Sequence, residues 1–140
     1  MYKYTVTYDN YNGDSITRDL YFNLSEPDMA LWESSESGGI SAKLDTVVKT
    51  KDIPQIMEFF TEIIDKSYGE RSADGENFFK SPEILYKFKT SKAFEVFFMK
   101  LLQDSDFALS WIKGIMPSKY QNAITQEEAK IKAELAQKNS

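Results

Sequence analysis

The chain has 140 residues, 41% of them hydrophobic and 28% charged, with no cysteine and no histidine. A chain of this size hides about two thirds of its unfolded surface on folding, so one compact domain with its own core is expected, and the missing residue types exclude thiol nucleophiles, zinc fingers, Ser-His-Asp triads and imidazole acid-base chemistry. Residues 1–70 carry 6 basic and 13 acidic side chains and residues 71–140 carry 11 and 9; the acidic first half repels phosphate backbones, so no nucleic-acid partner is expected.

Residues 2–8 alternate Tyr2, Tyr4, Val6 and Tyr8 against Lys3, Thr5 and Thr7, the period of a strand with one buried face. Asn12-Gly13 marks a turn, and a second run follows with Ile16, Leu20 and Phe22 on one face and Thr17, Asp19 and Tyr21 on the other. Together they predict a β-hairpin over residues 2–22. A hairpin alone is marginal in water, so this one must lie on helices or gain strands from another copy.

Ser25, with Pro27 in the first turn and Asp28 at the capping-box position, predicts a helix start, and Gly38-Gly39 its stop. A short helix over 40–49 buries Leu44, Val47 and Val48. The apolar spacing of Ile53, Ile56, Met57, Phe60, Ile63, Ile64 and Tyr68 predicts a third helix, capped by Asp52 and ended by Gly69. Residues 70–80 read as a polar loop turning at Asp74-Gly75. Ser81-Pro82 starts a short fourth helix. The fifth, over about 91–103, is apolar almost all round, with Phe94, Val96, Phe97, Phe98, Met99, Leu101 and Leu102, so it should be central or face a partner. A sixth over about 104–114 carries Phe107, Leu109, Trp111 and Ile112. Pro117 ends the globular pattern. Residues 118–140 read as a polar, frayed helical tail in which Thr125-Gln126-Glu127-Glu128 resembles a capping box and Ala129, Ile131, Ala133 and Leu135 are weakly patterned. The expected class is α+β: an N-terminal hairpin, a helical bundle over 25–116 and the tail, with one domain over 1–117.

Residues 9–14 fail the register of a calcium loop, because Tyr11 takes the third ligand position and no Glu stands at the twelfth. Gly38-Gly39 lacks the spacing of a phosphate loop. The carboxylate pairs Glu26/Asp28 and Asp104/Asp106 sit at helix N-termini, where negative charge is favoured on structural grounds. No catalytic, metal or cofactor site is expected. No window approaches the roughly 20 apolar residues of a membrane span, and no basic and apolar leader opens the chain, so neither membrane nor signal peptide is expected. The lack of cysteine suits a reducing cytoplasm.

Taken together, residues 5–117 resemble the tail assembly chaperones of long-tailed phages and prophages of Gram-positive bacteria. The blocks Tyr21-Phe22-Asn23-Leu24, Tyr68-Gly69-Glu70-Arg71-Ser72, Phe79-Lys80-Ser81-Pro82-Glu83 and Gly114-Ile115-Met116-Pro117 carry the likeness. The resemblance implies a non-catalytic protein of the host cytoplasm, absent from the mature virion, that binds the long helical tape measure protein and keeps it soluble. It also implies a longer form, made by ribosomal frameshifting, that recruits the tail-tube protein. Gln137-Lys138-Asn139 is compatible with such a slip, since CAA AAA AAC contains the heptamer A AAA AAC. On this reading Phe94, Phe97, Phe98 and Leu101 of the fifth helix, with Trp111, are the expected client contacts, and the hairpin edge is the expected surface for a homo-oligomer. Two readings compete with it: a virion structural protein such as a head-tail connector or tail terminator, which would persist in particles, and a small carboxylate-dependent enzyme, which would need an inward-facing Asp or Glu pair in a pocket.

Overall fold

The computed structural model describes residues 1–138, with the side chains of residues 131, 132 and 134–138 not described. The side chains of Ile131 and Leu135, and Asn139, thus lie outside the described residues. Within them the chain forms four strands and seven helices, the α+β class the patterning predicts.

Strands β1 (Tyr2–Asp9) and β2 (Ser15–Phe22) form the expected hairpin, with Tyr2 opposite Phe22 and Asp9 opposite Ser15. Gly13 turns it at φ +82°, and the Asn10 side chain accepts from the Asn12 and Asp14 N–H groups. Val6, Leu20 and Phe22 are buried on the inner face. The outer face is polar: Thr5 donates to Asp19 at 2.6 Å and the Thr7 and Thr17 hydroxyls lie 2.9 Å apart.

Helix α1 (Glu26–Ser35) begins at the predicted capping box, Ser25 accepting from the Asp28 N–H while Asp28 accepts from the Ser25 N–H. Burial pushes the Asp28 carboxyl up, but the Ser25 N–H and the Lys80 ammonium at 3.0 Å hold it below its ordinary value. Helix α2 spans Gly39–Lys49 and α3 spans Ile53–Ser67. Asp52 stands at the N-cap of α3, yet its side chain makes no capping bond.

The stretch read as a loop contains two strands, β3 (Tyr68–Arg71) and β4 (Phe78–Phe79), turned at Asp74-Gly75. They extend the sheet to the order β1-β2-β3-β4. Gly69 is correspondingly not a helix stop in the left-handed region but a β3 residue opposite Tyr21. A Cβ there would lie 2.5 Å from the Phe79 carbonyl oxygen and 2.7 Å from the Phe78 ring, so glycine lets β4 approach.

Helices α4 (Pro82–Lys89), α5 (Lys92–Gln103) and α6 (Ser105–Ile115) start at the side-chain caps Ser81, Ser91 and Asp104. Helix α7 covers Ser118–Lys138. Thr125 is inside it, its hydroxyl donating to the Gln121 carbonyl, so it opens no helix: in a continuing helix the hydroxyl bonds backward one turn. Ile124 of α7 is buried in the core.

That core is aromatic. Phe97 of α5 stacks on Phe22 with centroids 4.9 Å apart, and Trp111 meets both edge-on. Arg18, on the inner face of β2, donates to the Tyr68 hydroxyl at 2.8 Å and lies over the Phe88 ring. The β2–α1 connection ties distant parts together: Asn23 N–H bonds to Ser67 C=O and Leu24 N–H to Ile115 C=O.

Candidate functional site

Helices α2, α3, α5 and α6 meet around a cavity of about 230 Å³. Each supplies the apolar stripe that its periodicity required to be buried: Leu44, Val47 and Val48 from α2, Ile56, Phe59 and Phe60 from α3, Leu101 and Leu102 from α5, and Ala108, Leu109 and Ile112 from α6. Val48, Ile56 and Leu102 are only half-buried and Ser105 and Asp106 are exposed, so these five form the mouth. The polar end of the mouth is set by the Asp104 cap, whose carboxylate accepts the Phe107 N–H at 3.0 Å and fixes the first turn of α6.

One turn before and one residue after Ile56, α3 also exposes Ile53 (56%) and Met57 (40%). On a helix Ile53 neighbours both Ile56, three residues on, and Met57, four residues on, so the apolar lining runs from Ile56 at the mouth out onto the surface. A dry engineered cavity of about 150 Å³ already binds benzene; this one is larger and has a mouth, room enough for a Phe- or Leu-sized side chain. It offers apolar contact and no acid-base pair. Among the described residues no group of three or more His, Cys, Asp or Glu gathers as a metal site, and no helix is long and apolar enough to cross a membrane.

The five expected contact residues are brought together, but mostly inward. Phe97, Phe98, Leu101 and Trp111 are buried and Phe94 is half-buried. Phe98 packs on Phe94 and Phe60, and Trp111 on Phe60 and Phe97. Leu101 alone of the five lines the cavity. The indole N–H of Trp111 has no acceptor among the described residues. The α2 and α3 walls were missing from the expected set: their stripes are visible in the sequence, but which helices face each other is not. The exposed apolar positions of α5 are Val96 and Met99, on its other side.

Compared with known proteins, the chain matches over residues 1–140 the family model described as phage tail assembly chaperone. No curated protein and no solved structure matches.

Proposed function

The chain belongs to the phage tail assembly chaperone family, and from that membership we propose that it is a non-catalytic chaperone of the host cytoplasm that binds the tape measure protein and keeps it soluble until tail-tube subunits enclose it. The observation that supports client binding is the open apolar cavity between α2, α3, α5 and α6, continued on the surface by Ile53 and Met57. A long helical client presents apolar side chains at i, i+3, i+4 and i+7, and a slot with an apolar margin takes such a stripe by helix-in-groove docking. Leu101 contributes directly, while Phe97, Phe98 and Trp111 back the wall from the core. Many copies along one client add up by multivalency, and the acidic first half keeps the coated assembly soluble. In this reading a frameshifted longer form recruits the tail-tube protein, and the mature virion contains neither form.

Co-expression with the long open reading frame downstream of the gene tests the proposal. The long protein is expected to become soluble only in the presence of this chain and to retain many copies on affinity capture. Val48→Asp, which puts a charge at the half-buried mouth, is expected to abolish capture while circular dichroism shows the fold retained. A client that stays insoluble, with this chain forming a closed ring that persists in purified particles, overturns the reading in favour of a structural component.

A further inference from the structure

Strand β1 lies at one edge of the sheet and pairs with β2 in one unbroken antiparallel register. The Asn10 N–H to Asp14 C=O bond of 2.9 Å extends that register by one pair. Hydrogen-bonded and non-hydrogen-bonded pairs alternate along an antiparallel ladder, so the even-numbered residues of β1 bond to β2. The main-chain N–H and C=O groups of Lys3, Thr5, Thr7 and Asp9 therefore point away from the sheet. All four side chains are exposed. The strand contains no proline and no bulge, two devices by which proteins block addition at an edge. Helix α5 packs on β1 yet leaves Val96 and Met99 42% and 44% exposed; with Asp9 and Asn10 these two line an open groove. The sheet ends before the helix surface beneath it does.

We propose that a second copy of this chain fills the position, β1 pairing antiparallel with the partner's β1 about a two-fold axis at Val6. The strand is self-complementary in that register. Thr5 and Thr7 form hydrogen-bonded pairs with the partner's Thr7 and Thr5, and Lys3 lies opposite the partner's Asp9 at both ends. Moving the axis to Thr5 or Thr7 keeps the hydrogen-bond parity but sets Lys3 against Thr7, or Asp9 against Thr5, and forfeits both charge pairs. On the inner face Val6 meets its symmetry mate and Tyr4 meets the partner's Tyr8. The four strands of each copy join into one continuous sheet, and Val96 and Met99 of the two α5 helices lie between them beneath the seam. An isologous contact of this kind closes at two copies, and it depends on β1 and α5 alone, not on any client.

Sedimentation equilibrium on the purified chain, without client, tests the inference. The unaltered chain is expected to be a dimer in concentration-dependent exchange with monomer. Thr7→Pro removes an outward N–H without touching the β2 ladder and is expected to leave folded monomer. Lys3→Asp sets like charges opposite each other twice and is expected to weaken the dimer roughly tenfold. The double variant Lys3→Asp/Asp9→Lys restores both pairs with reversed sign and is expected to recover it. That recovery also removes the intramolecular Lys3–Asp19 contact of 3.7 Å as the explanation. A chain that stays monomeric up to about 100 μM, or a dimer that Thr7→Pro and Lys3→Asp leave intact while folded, overturns the proposal. Failure of client capture with the dimer present would instead count against the client reading.

Discussion

At Gly69 one hydrogen atom decides the position of a strand. The residue is buried opposite Tyr21, and the space a methyl group would take belongs to the Phe79 carbonyl and the Phe78 ring. Gly69→Ala is expected to destabilise the protein by about 1–3 kcal/mol, the usual cost of overpacking, read as a lower urea midpoint with an unchanged slope. Arg18 makes a related point. Its charge suggests an outward position, yet the alternation that puts Leu20 and Phe22 inside puts Arg18 there too, where it donates to Tyr68. Burial raises the Tyr68 hydroxyl above its ordinary pKa against the opposing pull of Arg18, so the acceptor of this bond is a neutral phenol.

At the scale of elements the chain is well punctuated. Ser25, Ser81, Ser91 and Asp104 each accept a main-chain N–H of the turn they open. Ser25→Ala is expected to cost about 1 kcal/mol, typical of an N-cap lost to alanine, measured by equilibrium urea unfolding. These helices and the first hairpin were legible because their signals are local: a cap, a turn, a period. The second hairpin was not, since β4 is two residues long and β3 is held by pairing with β2 across a long sequence separation. Neither leaves a period to read. The cavity was illegible for a related reason: the stripes of α2, α3, α5 and α6 are each visible, but their convergence is a property of packing. The all-round apolarity of α5 did mark it as central, and most of its aromatic residues face the core, not the surface.

For the molecule as a whole, the docking of α7 on the body is a contact that pH can tune. Asp45 of α2 and Glu127 of α7 each bury a carboxylate oxygen without a donor among the described residues. Burial and the neighbouring Asp45 raise the Glu127 carboxyl above its ordinary value, while Asp45, paired with Lys49 at 3.0 Å, is lowered. A raised folded-state value means stability that is present in acid and lost as pH rises through it. Glu127→Gln, whose amide can donate to Asp45, is therefore expected to raise Tm at pH 7, with the gain closing towards about pH 4, where glutamate itself takes up a proton. Thermal melts of the two proteins across this range check it.

The bond from Leu24 N–H to Ile115 C=O also sets an order of events. The β1–β2 hairpin is local and can close within microseconds, but the connection from β2 to α1 that follows it is tied to a partner some ninety residues downstream. Chains emerge from the ribosome N-terminus first, so the hairpin and α1 must wait, with apolar surface uncovered, until α6 has been made. A protein for which we propose the shielding of another chain's apolar helices itself passes through an interval in which its own are bare. Anything translated beyond α7 would appear only after that interval has ended.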